Sequence, residues 1–168
     1  AFVVRMFLFA PIVVDGPSMQ PNLFDRDQII VNKLSYRLGE PDRFDIVVFH
    51  QSKQKDFIKR VIGLPGEHVA MKNDTLYIND EIVEEPFLEK EKSAMKDASI
   101  LLTNDFTLQD LPGEYKVIPD DHVLVLGDNR RNSTDSRQLG VIPIESIVGK
   151  ANFVYWPLNR IEWLHTEE

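Results

Sequence analysis

The chain has 168 residues, of which 43% are hydrophobic, enough for one domain with a sizeable buried core. Acidic residues outnumber basic ones by 27 to 19, and the formal charge of -8 opposes binding to the phosphate backbone of nucleic acids. The absence of cysteine excludes disulfides, thiolate metal sites and a thiol nucleophile. The histidines are scattered without metal-ligand spacing, so we expect no metal and no other cofactor.

The N-terminal residues 1–14, AFVVRMFLFAPIVV, are apolar apart from Arg5 and Pro11. A membrane-spanning helix needs roughly 20 apolar residues, so this stretch alone is too short. We interpret residues 1–9 as the end of a truncated membrane anchor and residues 10–14 as a buried strand. A cleavable signal peptide fits less well, because no lysine-rich leader precedes the apolar run.

Short β-rich hydrophobic runs follow, separated by Gly, Pro, Asn and Asp, which is typical of all-β proteins. The runs predict strands near residues 11–15, 28–33, 44–50, 57–62, 67–72, 75–79, 121–127 and 147–156. Asn73-Asp74 and Asn79-Asp80 suit tight hairpin turns, since these residues tolerate positive φ. Residues 84–113 lack the alternation of their neighbours and are predicted to leave the β core as an excursion with one short helix. We therefore expect residues 10–168 to form a single β domain.

The first candidate for chemistry is the segment DGPSMQP, residues 15–21. The flanking prolines restrict the backbone around Ser18, so that its Oγ and its own N–H can be directed at a substrate carbonyl. A single serine in a turn is more commonly structural, so this segment alone does not identify an enzyme.

The second candidate is FIKRVIGLPG, residues 57–66. Alternation in a strand places Lys59 on the same face as Phe57 and Val61. An apolar environment penalises the ammonium form and lowers its pKa, and a neutral amine near pH 7 is a competent general base. The alternative is an edge lysine whose stem covers apolar surface while its head reaches water.

The third candidate is GDNRRNSTDSRQLG, residues 127–140, directly after the strand HVLVLG. Its polar turn residues and arginines offer more hydrogen-bonding capacity than a simple connection needs. A surface loop held by its own Asp–Arg pairs is one interpretation, and it suits Asp128 and Asp135. Such a loop could also hold a lysine amine in position.

Four segments, taken in order, resemble the catalytic-domain boxes of type I signal peptidases. They are Ser18-Met19-x-Pro21, FDIVVF at 44–49, KRVIGLPG at 59–66 and GDNRRNSTDSR at 127–137. The short excursion between the last two makes the chain most similar to the Gram-positive, Bacillus-type members. The resemblance implies a mainly β fold, with an antiparallel β-barrel or sheet as the catalytic core.

The resemblance also implies roles for single residues. Ser18 matches the nucleophile, Lys59 the general base, and Ser133 the serine whose hydroxyl orients the lysine amine. The charged residues that match those bracing the site are Arg60, Asp128, Asp135 and Arg137. Our candidates for lining small substrate pockets are Val14, Met19 and Ile58.

Three positions depart from the family pattern. Gly16 stands where Gram-negative members carry a second serine that helps form the oxyanion hole, so the N–H of Ser18 needs another donor as a partner. Asn22 replaces a threonine, and Phe44 replaces a glycine before Asp-Ile-Val. None of these changes removes a catalytic group.

The implied activity is a membrane-associated serine endopeptidase that removes signal peptides from exported preproteins after Ala-x-Ala-like sites, through an acyl-enzyme. The implied location is the cell membrane, with a single-pass anchor near the N-terminus, contact with membrane lipid and the catalytic domain on the extracytoplasmic side.

Two alternatives remain at this stage. Self-cleaving SOS-response repressors share the Ser–Lys architecture, but the apolar N-terminus takes the place of their DNA-binding helical domain. A catalytically inactive β-barrel that binds signal peptides or partner proteins is the other, and the intact Ser18, Lys59 and Ser133 argue against it.

Overall fold

The computed structural model describes residues 9–33, 40–52 and 55–164. Antiparallel sheets with few helices confirm the predicted mainly β fold. The predicted anchor lies outside the described residues, except that Phe9 pairs with Asn32 and so begins a strand instead of ending the anchor. In the described ranges, no helix has the length and apolar character needed to cross a membrane.

Strands account for most of the regular structure. They are β1 (Phe9–Val13), β2 (Gln28–Asn32), β3 (Ile46–Ser52), β4 (Lys55–Gly63), β5 (Val69–Lys72), β6 (Thr75–Ile78), β7 (Glu81–Val83), β8 (Phe106–Thr107), β9 (His122–Leu126), β10 (Ile142–Pro143), β11 (Ile147–Trp156) and β12 (Glu162–Trp163). The larger sheet has the order β1-β2-β11-β3-β4-β9-β10, and β12 also pairs with β11. The smaller sheet has the order β7-β6-β5-β8.

The strand that carries Lys59 lies inside the larger sheet. β4 pairs with β3 on one side, where Lys59 is opposite Val47, and with β9 on the other. The alternation predicted for β4 is confirmed, because Phe57 and Val61 pack in one core cluster while Ile58 packs against a different one. Two flanking strands fix the backbone of this segment on both edges.

In the smaller sheet, β5, β6 and β7 are joined by the two predicted hairpin turns. Asn73, Asp74, Asn79 and Asp80 all have positive φ, between 50° and 67°, and they close the β5–β6 and β6–β7 hairpins. This confirms the turns that were predicted from Asn-Asp pairs.

The predicted excursion leaves the smaller sheet after β7. It contains a 3-10 helix (Pro86–Leu88) and helix α1 (Glu89–Asp97), and it returns as β8, which pairs with β5. The short helix was predicted, whereas the returning strand was not. The remaining helical turns are Leu108–Asp110, α2 (Ser136–Leu139), Ile144–Ser146 and Leu158–Arg160.

The buried core attaches both catalytic segments to the sheets. One cluster packs the smaller sheet against β4 and β9 through residues such as Met71, Ile62 and Leu124. Another anchors the segment around Ser18 to the larger sheet, through Met19 and Leu23. The serine turn is therefore held from below by its apolar neighbours.

Candidate active site

Ser18 lies in a tight turn that follows β1. The turn is closed by the N–H of Gln20, which donates to the carbonyl of Pro17 at 3.1 Å. Gly16 precedes it with φ of 92°, a conformation that favours glycine. Because Met19 is buried directly after it, Ser18 is half-buried with its position set by the core.

Lys59 reaches this serine from β4. Its side-chain amine donates a hydrogen bond to Oγ of Ser18 at 2.7 Å, although 41 positions separate the two residues. Lys59 is only 4% exposed, and its Nζ lies 5.1 Å from the ring centroid of Phe57. The alternative of a lysine whose head reaches water is therefore wrong, and the structure brings the first two candidate segments together.

Burial is the main influence on the protonation of Lys59. It lowers the pKa of the amine from 10.5 to about 8, because the charged form loses solvation. The carboxylates of Asp135 and Asp128 oppose this change, while the charges of Arg137 and Lys55 reinforce it. A pKa near 8 leaves about a tenth of the molecules with a neutral amine at pH 7. That fraction can accept a proton from the Ser18 hydroxyl.

In the third segment, Asp135 holds the loop together beside the dyad. Its Oδ2 accepts hydrogen bonds from Oγ of Ser133 at 2.9 Å and from the N–H of Gly127 at 2.9 Å. Arg137 donates to both carboxylate oxygens, from Nε at 2.9 Å and from Nη2 at 2.8 Å. Burial raises the pKa of Asp135, but the bonds and charge of Arg137 outweigh burial and hold it below its usual value. The carboxylate is therefore ionised.

Ser133 lies next to the dyad and is bonded to Asp135, whereas the amine of Lys59 is bonded to Ser18. The predicted bond between the Ser133 hydroxyl and the lysine stays a prediction. Gly127 lets Ser133 and Ser18 approach each other closely, because a Cβ on this residue would overlap both Ser133 and the carbonyl of Ser18. The N–H of Asn129 also donates to that carbonyl at 2.8 Å. The loop backbone thus packs directly on the serine turn.

Arg60 and Asp128 form a second brace. Arg60 donates from Nε and Nη2 to the two oxygens of Asp128 at 2.9 and 2.7 Å, and both residues are buried. Its Nη1 donates to the carbonyl of Phe44 at 3.0 Å. The four charged residues predicted to brace the site therefore form two bidentate pairs, Arg60 with Asp128 and Arg137 with Asp135.

Two of the departures from the family pattern lie in this brace. Asn22 donates from Nδ2 to Asp128 at 2.8 Å, so a polar contact is kept at that position. Phe44 has φ of 72°, the left-handed region that glycine occupies without strain. The glycine of the family pattern has a structural reason here, and Phe44 accepts the strained backbone.

The predicted pocket residues lie close together, on the core side of the serine turn. Val14 and Met19 are buried members of one core cluster, and Ile58 packs against that cluster while half-buried. Their role in binding substrate stays a prediction.

The sequence assigned no functional role to Arg130 or to the residues of the excursion. Arg130 is buried and forms an ion pair with Glu85, a buried carboxylate at the start of the excursion. No periodic pattern distinguishes Glu85 from the exposed glutamates around it, and only the tertiary structure shows that it is buried. In the described residues, no cluster of His, Asp or Glu could hold a metal ion.

The chain is similar to known proteins in sequence and in fold. A family profile described as "Signal peptidase, peptidase S26" matches residues 1–156. Signal peptidase I from Bacillus caldolyticus is 49% identical over 157 residues, which is 94% of this chain and 85% of that protein. Signal peptidase I S from Bacillus subtilis (strain 168) is 47% identical over 163 residues, 96% of this chain and 84% of that protein. A crystal structure of a signal peptidase I from Enterococcus faecalis V583 aligns with a TM-score of 0.60 and 39% identity, covering 66% of this chain and 96% of that one.

Proposed function

Because the chain belongs to the signal peptidase family, peptidase S26, we propose that it removes signal peptides from exported preproteins with a Ser18–Lys59 dyad. It is a serine endopeptidase, and the Bacillus relatives support this activity at the level of the family. The main support for the dyad is the 2.7 Å hydrogen bond from the buried amine of Lys59 to the hydroxyl of Ser18. This contact joins one group that can attack a carbonyl to one group that can take its proton.

The reaction begins with neutral Lys59. The lysine accepts the hydroxyl proton as Oγ of Ser18 attacks the carbonyl carbon of the small residue at the end of the signal peptide. The protonated lysine then gives that proton to the departing amine of the mature protein, and an ester to Ser18 remains. Water attacks the ester, Lys59 accepts its proton, and transfer of that proton to Ser18 Oγ releases the signal peptide.

Ser133, Asp135 and Arg137 support this chemistry from the loop. In our proposal Asp135 stays ionised beside the dyad, and Ser133 orients the lysine amine during turnover. Val14, Met19 and Ile58 shape shallow pockets that accept the small residues of an Ala-x-Ala-like site. Arg60 and Asp128 fix the strand and the loop to each other.

We also propose that the catalytic domain works at the membrane, on the extracytoplasmic side, with residues 1–8 contributing to an anchor. The support is a set of exposed apolar side chains near the serine turn. Val13 and Trp156 are both exposed, and each pairs with Gln28, so they flank it across β1, β2 and β11. Trp163 on β12 is 71% exposed. Aromatic and apolar side chains of this kind are enriched where proteins meet a membrane interface.

The dyad is tested by cleaving a preprotein with wild type and with Ser18→Ala, followed by mass spectrometry of the products. We expect Ser18→Ala to lose processing while it keeps the circular dichroism spectrum and melting temperature of wild type, because one small polar atom is removed. Turnover of that variant at the wild-type rate would overturn the nucleophile assignment. Cleavage at sites without small residues would overturn the proposed specificity.

A further inference from the structure

Glu85 is a buried carboxylate between two cations. Its Oε2 accepts a hydrogen bond from Nη2 of Arg130 at 2.5 Å, and its Oε1 lies 2.7 Å from the amine of Lys92 on α1. The side chains of Glu85 and Arg130 are both 0% exposed. Burial raises the pKa of Glu85, but Arg130 and Lys92 outweigh burial and hold it below its usual value. An ionised group is therefore kept at the root of the excursion.

Arg130 carries this contact into the loop that surrounds the dyad. Its Nε donates to the carbonyl of Gly127 at 2.9 Å, and its Nη1 donates to Oγ1 of Thr103 at 3.2 Å. Arg137, in turn, donates from Nη1 to the carbonyl of Arg130 at 2.9 Å. One guanidinium thus ties Glu85 to the first residue of the loop, in a fork geometry that only arginine supplies.

The position of Gly127 matters for the dyad. A Cβ at Gly127 would overlap Oγ of Ser133 and the carbonyl of Ser18, so the backbone of this glycine packs directly against both residues. The N–H of Gly127 also donates to Asp135, whose charge has the largest effect on the protonation of Lys59 after burial. Displacement of Gly127 therefore changes both the geometry and the electrostatics of the site.

The start of the excursion also contacts β4 and the residue that follows the serine turn. The ring of Phe87 stacks on the guanidinium of Arg60, with its centroid 4.0 Å from Cζ. The carbonyl of Phe87 accepts a hydrogen bond from Asn22 at 3.1 Å, beyond the serine turn. The stretch from Glu85 to Phe87 thus contacts the loop and β4, together with the residue that directly follows the serine turn.

We propose that Glu85 is a positioning residue for the peptidase reaction, acting through Arg130 on Gly127 and hence on the dyad. This inference rests on the proposed function. The alternative hypothesis is that the ion pair between Glu85 and Arg130 only stabilises the fold. The two hypotheses predict different kcat values for variants of this ion pair. If the pair only stabilises the fold, its loss changes the melting temperature but leaves kcat of the folded enzyme unchanged.

The test uses the full chain and a soluble peptide with a small-residue cleavage site, below the melting temperature of every variant. Arg130→Lys is the main variant, because lysine keeps the charge beside Glu85 but cannot also contact Gly127. Glu85→Gln removes the charge and keeps the shape. Lys92→Met is the matched control, since it removes the other cation on the same carboxylate without a link to the loop.

We expect Arg130→Lys and Glu85→Gln to lower kcat at least tenfold with KM within about threefold. The double variant should be no worse than the poorer single one, because both changes break one connection. In Glu85→Gln the acid limb of the kcat profile should move to lower pH, because the guanidinium of Arg130 is left uncompensated. Lys92→Met should stay within twofold of wild type.

Unchanged kcat in Arg130→Lys, or an equal loss in Lys92→Met, would overturn the positioning role. Arg130→Lys decides the matter if Glu85→Gln does not fold. Ser18→Ala is assayed in the same series, so that failure of the dyad itself, seen as an active Ser18→Ala, is distinguished from failure of the positioning claim.

Discussion

Lys59 shows how one residue obtains its chemistry from its surroundings. In water its amine would be protonated at neutral pH, but burial on β4 lowers the pKa to about 8. The nearby carboxylates prevent a larger decrease. The site thus contains a base that is partly neutral under ordinary conditions and a hydroxyl within hydrogen-bond distance.

The pH dependence of activity should report this pKa. We expect kcat/KM of the free enzyme to rise with pH along a limb centred near pH 8, because only neutral Lys59 can accept the serine proton. Measurement of peptide cleavage between pH 6 and about 10 gives the limb directly. A limb at the unperturbed value of about 10.4 would show that burial does not tune this lysine.

Substitution of Lys59 separates its charge from its basicity. Lys59→Arg keeps a cation, yet guanidinium does not lose its proton at usable pH, so the variant should be as inactive as Lys59→Met. Ser133→Ala should be milder, raising the barrier by about 1–3 kcal/mol, because the amine is kept and only its surroundings loosen. Substantial turnover by Lys59→Arg would return the lysine to a structural role.

Gly16 has space for a side chain but not the conformation for one. Nothing lies within 4 Å of a Cβ built at Gly16, while its φ of 92° strains any other residue. We expect Gly16→Ser to lower the melting temperature, at a cost of about 1–3 kcal/mol, and to leave kcat/KM within tenfold of wild type. A correctly folded variant without activity would show that close backbone approach at this position is essential.

At the scale of elements, the sequence predicted strands where local pattern is strong. All the longer strands of the larger sheet carry β-rich runs, and their bounds agree with prediction to within a few residues. The strands β8, β10 and β12 were missed because each has two residues, too few for alternation to show. Their pairing depends on what lies beside them in space.

The sequence likewise predicted the part of the site that lies in recognisable motifs. Ser18, Lys59 and the loop were identified because ordered motifs marked them, and strand alternation supplied the apolar face of Lys59. Glu85 was missed because its burial depends on Arg130, which is 45 positions away. Contacts of this range leave no periodic signal in a single sequence.

At the scale of the molecule, the two sheets hold three distant segments in one place. The serine turn rests on the larger sheet, the lysine lies within it, and the loop is fixed by Asp135 and by the excursion from the smaller sheet.

The membrane proposal leads to a test on the whole chain. Removal of residues 1–8, which keeps β1 intact, should weaken partition into lipid vesicles while cleavage of a soluble peptide survives. Sedimentation with vesicles and a peptide assay measure the two effects separately. Unchanged vesicle binding after truncation would move the membrane contact entirely to the exposed side chains of the described domain.

The last prediction links the dyad to the stability of the whole molecule. The pKa of Lys59 is about 8 in the folded state, against 10.5 for an exposed lysine, so the unfolded chain binds more protons between these values. The free energy of unfolding therefore rises with pH across that window. The contribution linked to Lys59 is fully present above pH 10.5 and is lost as pH falls through about 8. Lys59→Met has no charge to bury and avoids this cost.

We expect Lys59→Met to melt at a higher temperature than wild type at pH 6.5, by an amount equivalent to at most roughly 3 kcal/mol. The difference should shrink as pH rises from about 8 to 10.5. Thermal unfolding of both proteins at matched pH isolates this lysine, because the other titratable groups are common to the pair. Parallel stability curves across the window would mean that the folded protein does not bear the cost of burying an ammonium group, and the basis for a neutral lysine base would be lost.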